Sequence, residues 1–361
     1  MRLFTIAGEP SGDARCAELV SALGARSDIS AAGMGGPLCA RAGVEILERM
    51  EDYAVMGFGE VLRSLGSFAG LEERLKRACA GFHPDAVVLV DYPGFNMRFA
   101  SWARRAGLKV VYFVSPQYWA WGGWRVRRAR RSVDLMIVLF RFELDYYSIR
   151  GVRCFWSGHP LVDSIPSAVP GGLRLALLPG SRSHEVRRLL PVMLEAAGAL
   201  VDGGLVEGAS IAVAPSVPDH LYEGAAERPW ADLRMGILDA LADARAALVC
   251  SGTATLETAL AGVPFAVLYR TSPLTYRVAR LLVTGVDRIC LASIVAGTRV
   301  APELIQDRAT AGEAVGALLP LLTDGAPRDE GLSRLALVRE ALGPPGAAGR
   351  AADAVIEFLG A

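Results

Sequence analysis

The sequence predicts an α/β protein with two domains, each a doubly wound parallel sheet. Three observations carry this. Short apolar runs bounded by Gly, Pro or Asp alternate with amphipathic helical patterns along the chain. Several runs are continuously apolar, as strands covered on both faces require. The alternation pauses between Gly158 and Gly172 and then restarts, and 361 residues suffice for two cores.

The expected strands are Leu3–Ala7, Ala86–Val90, Val110–Val114, Leu135–Val138, Leu175–Leu178, Ser210–Val213, Ala247–Cys250 and Phe265–Leu268. The expected helices include Ala14–Leu23, Leu65–Cys79, Met97–Ala106, His184–Leu200 and Thr255–Ala261. Gly343-Pro344-Pro345-Gly346 interrupts the chain before a last short helix, Arg350–Leu359. The expected boundaries are a first domain over 1–163, a second over 164–342, and a terminal segment over 343–361.

Composition narrows the function classes. The 38 basic side chains balance 38 acidic ones, so binding to a polyanion through bulk charge is excluded. The balance is uneven: residues 1–163 hold 21 basic and 17 acidic groups, the remainder 17 and 21. The six cysteines (16, 39, 79, 154, 250 and 290) are dispersed and read as reduced thiols. The four histidines (83, 159, 184 and 220) show no metal-ligand spacing, and no metal is expected. Glu9 and Asp13 come too early for a secretory signal. The most apolar stretch, 246–269, is broken by Glu257, Gly252, Gly262 and Pro264, so a soluble protein is expected.

Several strand ends carry candidate chemistry. The first runs into Gly8-Glu9-Pro10-Ser11-Gly12-Asp13, a Gly-rich turn before a helix, where α/β proteins bind polar or anionic ligands. It lacks both the dinucleotide glycine pattern and the P-loop lysine; a tight turn with Asp13 as a helix cap is the lesser alternative. In the second domain Leu178-Pro179-Gly180-Ser181-Arg182 opens a helix, combining backbone N–H groups, a helix dipole and a guanidinium in a way that suits a diphosphate. Glu185 is placed to cap the same turn. Ser251-Gly252-Thr253 repeats the strand–loop–helix arrangement, and Glu257, one turn on, is suited to accept hydrogen bonds from a ribose diol. Two phosphate-suited loops and this carboxylate together describe a nucleoside-diphosphate site.

Asp91 closes the apolar run 86–90 and is a candidate general base, with an Asp capping the next turn as the plainer reading. His159, at the domain junction, reads as a structural hydrogen-bonder rather than a catalyst. Tyr118, Trp119, Trp121 and Trp124 are followed by Arg125, Arg127, Arg128, Arg130 and Arg131. That mixture suits single-stranded nucleic acid, an anionic lipid surface, or a solvated helix beside a packed loop. Zero net charge disfavours nucleic acid.

Taken in order, GEPSGD at 8–13, DYPGFN at 91–96, SPQYWAW at 115–121, LLPGSRSHE at 177–185 and SGTATLE at 251–257 resemble the lipid-A-disaccharide synthases. So do Tyr269-Arg270, Gly297 and Pro302-Glu303-Leu304-Ile305-Gln306. The resemblance implies the GT-B glycosyltransferase fold, two Rossmann-like domains with a cleft between them. It implies an inverting hexosyltransferase of lipid A (lipopolysaccharide) biosynthesis. That enzyme joins UDP-2,3-diacylglucosamine to 2,3-diacylglucosamine 1-phosphate, known as lipid X, releasing UDP and a β-1,6 disaccharide 1-phosphate. No cofactor is implied, and the chain shows no Asp-x-Asp motif.

Carried onto this chain, the resemblance makes Asp91 and Glu9 the catalytic candidates. Gly180, Ser181, Arg182, Ser251, Gly252, Thr253 and Glu257 would hold the donor. Gly8, Ser11, Gly12, Asn96 and Ser293 would face the acceptor or the cleft. Trp124, Arg125, Arg127, Arg128 and Arg131 would form a membrane-facing patch. The implied partners are the two acylated sugars, the cytoplasmic face of the inner membrane, and a second copy in a homodimer, with no nucleic acid. Two positions depart from the family pattern: Gly94 stands where a second acid is usual, and Ser293 where an Asn follows Leu-Pro. Another UDP-N-acetylglucosamine enzyme of this fold, a 2-epimerase or a peptidoglycan glycosyltransferase, is the nearest alternative. A non-catalytic RNA binder is a remoter one.

Overall fold

The computed structural model describes residues 1–54, 65–165, 171–273, 276–277 and 287–360. The chain divides into two compact units, one of Met1–Pro160 with Pro345–Ala361 and one of Leu161–Pro344. The division thus falls at Pro160/Leu161 rather than after residue 163. Part of the expected junction, residues 166–170, lies outside the described residues.

The first unit is built on a seven-stranded parallel sheet ordered β3-β2-β1-β4-β5-β6-β7. Its strands are β1 (Arg2–Ala7), β2 (Ser30–Gly35), β3 (Val44–Arg49), β4 (Ala86–Val90), β5 (Lys109–Phe113), β6 (Leu135–Val138) and β7 (Cys154–Trp156). Its continuous apolar strands serve two cores at once. Phe4, Ile6, Val87, Leu89, Tyr112 and Met136 pack on one face, while Leu3, Ala7, Val88, Val90, Phe113 and Ile137 pack on the other. Alternation therefore disappears from the sequence, because both faces are dry.

The second unit repeats the design with six parallel strands ordered β10-β9-β8-β11-β12-β13. These are β8 (Arg174–Leu178), β9 (Gly208–Val213), β10 (Ala231–Met235), β11 (Ala244–Cys250), β12 (Phe265–Tyr269) and β13 (Glu303–Ile305). Leu189, Leu190, Met193 and Leu200 of the helix Ser183–Asp202 close one face over Leu175, Ile211 and Leu248.

Each sheet reverses its strand order at one place, where a crevice opens beyond the strands' carboxyl ends. In the first unit this place lies between β1 and β4, with Ala7 opposite Val90. In the second it lies between β8 and β11, with Leu178 opposite Val249. The four loops singled out from the sequence follow these four strands.

The terminal segment 343–361 is not separate as expected: from Pro345 it belongs to the first unit. The helix Ala347–Leu359 buries Ala351, Ala352 and Val355 against Cys16, Leu19, Val20 and Leu23. Asp353 pairs with Arg26 at 2.6 Å. Its small-residue stripe allows close approach to the helix Pro10–Gly24, which is why it docks there.

Candidate active site

In the second unit the seven expected donor residues lie together. Gly180, Ser181 and Arg182 follow β8, Ser251, Gly252 and Thr253 follow β11, and Glu257 projects from the helix Ala254–Leu260; all line one pocket of about 470 Å3. The loop after β8 is already ordered by a carboxylate. Glu185 Oε2 accepts from the backbone N–H of Ser181 (3.1 Å) and of Arg182 (3.2 Å), and its Oε1 accepts from Arg182 Nη1 at 3.0 Å. Arg182 therefore begins a helix without an uncompensated charge, and its side chain stays 70% exposed at the pocket rim. Gly180 is required here: its φ is +114°, and a Cβ would sit 2.4 Å from Glu185 Oε2.

The loop after β11 is held from below. Ser251 Oγ donates to Ile289 O at 2.7 Å, and Thr255 Oγ1 donates to Gly252 O at 2.8 Å. Gly252 has φ +142° and open space where a Cβ would stand. Thr253 is exposed. Burial raises the Glu257 carboxyl to about 7. No protein donor bonds its carboxylate among the described residues, so it is suited to accept from hydroxyl groups. The far wall, Val213 to Pro215 with Gly236 and Ile237, was not anticipated. Its only signal is a turn at the end of an apolar run.

In the first unit the chain turns sharply after β4, with Asp91 at φ +50° and Tyr92 at φ +49°. Left-handed geometry at two consecutive non-glycine residues is costly, at about 1–3 kcal/mol each, and must be imposed by surroundings. Three contacts impose it. Asn96 Nδ2 donates to the carbonyls of Ile6, Val90 and Asp91. Tyr112 Oη donates to Asp91 O at 2.6 Å. The Tyr92 ring lies over Gly8, where a Cβ would come within 2.5 Å of it.

The result is a half-buried Asp91 whose carboxyl is raised to about 6, first by burial and then by the charge of Glu9. Glu9 and Ser11 are exposed at the start of the helix Pro10–Gly24. A carboxylate with that affinity for protons is ionised at neutral pH and still basic enough to take one.

Three expected acceptor contacts need correction. Asn96 is fully buried and ties β1 to β4, so it positions the Asp91 turn and does not line a surface. Ser293 is fully buried too; its Oγ accepts from Val300 N at 3.2 Å, closing a turn. Gly12 is buried, and a Cβ added there would stand 3.4 Å from Val90 O, so it faces the sheet in helix-to-sheet packing. In each case the residue type needed for packing is also one that binds ligands, and sequence alone does not separate the two roles.

Asp13 does cap a helix, though not its own. Its carboxylate accepts from Gly36 N, Leu38 N and Cys39 N, at the start of the helix Pro37–Arg41 after β2. His159 is buried against the Phe140 ring (5.3 Å) and is held neutral, its affinity for protons depressed to about 3 by burial and Arg15. That fits the structural role.

The aromatic loop divides in two. Tyr118 and Trp119 are buried, and Trp119 Nε1 donates to the buried Glu143 at 2.9 Å. Trp121 and Trp124 are exposed, Trp124 by 73%. Arg125, Arg127, Arg128 and Arg131 line one groove with Trp124. Among the described residues no helix is long and apolar enough to cross a membrane.

Two Rossmann-like sheets, each with its candidate loops at the strand-order reversal, define the GT-B class. The calicheamicin glycosyltransferase CalG4 aligns with a TM-score of 0.63 at 17% identity, over 99% of this chain and 98% of that one. A putative UDP-N-acetylglucosamine 2-epimerase from Listeria monocytogenes aligns with a TM-score of 0.64 at 15% identity, over 99% and 95%. At such identities the likeness is one of fold.

The sequence is more specific. The model of the lipid-A-disaccharide synthetase family matches residues 3–342. The lipid-A-disaccharide synthase of Geobacter metallireducens is 40% identical over 377 residues, spanning 99% of this chain and 97% of the relative. That of Myxococcus xanthus is 40% identical over 375 residues with the same coverage. The chain belongs to the lipid-A-disaccharide synthase family.

Proposed function

We propose that the chain joins UDP-2,3-diacylglucosamine to 2,3-diacylglucosamine 1-phosphate, forming a β-1,6-linked disaccharide 1-phosphate and releasing UDP. Family membership supports the reaction class. The observation that supports the division of roles is the convergence of the β8 and β11 loops and Glu257 on one pocket.

The donor's diphosphate is assigned to the loops of Gly180–Arg182 and Ser251–Thr253, and its ribose diol to Glu257. Arg182 and fixed backbone dipoles stabilise the charge that develops on the departing UDP. Asp91 takes the proton of the acceptor's 6-hydroxyl as that oxygen attacks the anomeric carbon. Attack opposite the leaving group inverts the α-linked donor to a β-glycoside, through a transition state of oxocarbenium character. Glu9 keeps the Asp91 carboxylate basic by its charge.

The acylated substrates reside in a bilayer. We assign first contact with the cytoplasmic face of the inner membrane to exposed Trp124 and Trp121, aided by the neighbouring arginines. The test is direct: the purified protein with both acylated sugars yields the disaccharide 1-phosphate, and UDP-N-acetylglucosamine does not replace the acylated donor. Turnover of the unacylated sugar alone would place the chain with the epimerases or peptidoglycan enzymes instead.

A further inference from the structure

The groove beside the aromatic loop has a composition that a membrane-facing surface alone does not require. It encloses about 650 Å3, within the usual range for small-ligand sites of about 300–1,000 Å3. Arg125, Arg127, Arg128 and Arg131 all line it, and among the described residues no acidic one does. None of the four forms an ion pair among the described residues, whereas nearby Arg98 and Arg104 are paired with Glu72 and Asp134.

Two of the four are held in place before any ligand arrives. Arg128 Nε donates to Ser101 Oγ at 3.1 Å, and that hydroxyl is itself bonded to Met97 O and Ser132 Oγ. The Arg125 guanidinium lies over Trp121 at 4.6 Å and over Trp124 at 5.3 Å. Met97 and Tyr118 give the groove an apolar part, and Pro93 and Gly94 line it directly after the Asp91–Tyr92 turn.

Four uncompensated, partly ordered guanidiniums beside apolar side chains match a compact dianion on an amphiphile. Planar guanidiniums bind phosphate oxygens in pairs, and a phosphomonoester carries nearly two charges at neutral pH. The donor's diphosphate already has its loops in the other unit. Resting on the reaction proposed above, the geometry points to the Arg125–Arg131 groove as the seat of the acceptor's 1-phosphate. Its lining residues Pro93 and Gly94 follow Asp91, the proposed base, by two and three residues in the chain.

The test compares the phosphorylated acceptor with its dephosphorylated form, both in zwitterionic detergent, by tryptophan fluorescence titration and by turnover. The parent binds the phosphorylated form about 10- to 100-fold more tightly, as lost charge-assisted hydrogen bonds require. Arg127→Gln with Arg131→Gln removes most of that preference, while the double Lys variant keeps part of it. UDP affinity, read on the other unit, stays unchanged, and an unchanged thermal unfolding transition of the first unit reports that the variant is folded.

Phosphatidylglycerol vesicles supply the second arm. Loss of vesicle binding with the phosphate preference intact would assign the arginines to the lipid surface and overturn the inference. So would a parent that does not distinguish the two acceptors. A parent that distinguishes them but forms no disaccharide would leave the groove standing and overturn the proposed reaction.

Discussion

The two strand-order reversals solve the same problem with different materials. After β8 and β11, backbone and small residues form the pocket, and one carboxylate, Glu185, already holds the amides of Ser181 and Arg182. After β4 the chain itself is bent out of its ordinary conformation at Asp91 and Tyr92, and buried side chains hold it there. The first arrangement holds its backbone amides and Arg182 in place before any ligand arrives, as the proposed donor site requires. The second places one acid where burial and a like charge adjust its affinity for protons. On the proposed roles, a donor platform would be built mainly from loops, and a base from a strained turn and its supports.

That contrast can be broken most sharply at the base. Asp91→Asn should lower turnover by about 10²–10⁴, the usual worth of a general base, with UDP affinity nearly unchanged by calorimetry. Parallel loss of both would mean that the β4 turn also shapes the donor site.

A smaller effect is expected at Gly180. Gly180→Ala sets a Cβ against Glu185 at φ +114°, at a cost of about 1–3 kcal/mol. UDP affinity should fall by about 10- to 100-fold, read by calorimetry. Unchanged affinity would show that the Glu185 bridge is not what orders the donor loop.

Glu257 sharpens the comparison through pH. Its carboxyl is raised to about 7, so it is protonated increasingly below neutrality and then accepts fewer hydrogen bonds. A diol donating to the ionised form favours ionisation, so UDP affinity should fall as pH drops from 8 to 6. Glu257→Gln should weaken binding by about ten-fold at pH 8 and flatten that dependence, the value of one or two hydrogen bonds to a charged group. A Gln variant with the parent's pH dependence would remove Glu257 from the ribose.

The least change is expected from chelation. With Arg182 and backbone dipoles at the leaving group, EDTA should leave turnover within about two-fold, a margin below a single hydrogen bond. Activity restored by magnesium, and not by an equal ionic strength of monovalent salt, would contradict the site.

Legibility followed the same divide. The loops after β1, β4, β8 and β11 were readable because each closes a continuous apolar run with Gly, Ser or Asp. Strands β2, β3, β7, β10 and β13 were not. Strand β2 reads Ser-Ala-Ala-Gly-Met-Gly because a Cβ at Gly33 would lie 2.0 Å from Thr5 O, so close packing replaced the β-branched residues that mark strands. Strands β3 and β10 are edge strands with charged residues, and β7 and β13 have three residues each.

Among side chains, what failed was direction. Asn96, in a recognisable motif, and Ser293, at a departure from one, both turn into the core, since an amide or hydroxyl that satisfies buried backbone looks identical in sequence to one that meets a ligand. The arginines after Trp124 were legible as a patch. Their gathering around a groove with the first turn of the helix Pro93–Arg105 was not, because it joins segments about thirty residues apart.

The measurement that bears most directly on the strained-turn base is the pH dependence of kcat/KM for the acceptor, at donor concentrations that saturate the site across the range, in the parent and in Glu9→Gln. The parent should show an acidic limb with an apparent pKa of about 6, where burial and Glu9 hold Asp91. Removing the Glu9 charge favours ionisation of Asp91, so the limb should move to lower pH while the maximal rate stays close to the parent's. A limb in the ordinary carboxylate range near 4, or one that Glu9→Gln leaves in place, would contradict the assignment of Asp91 as the base.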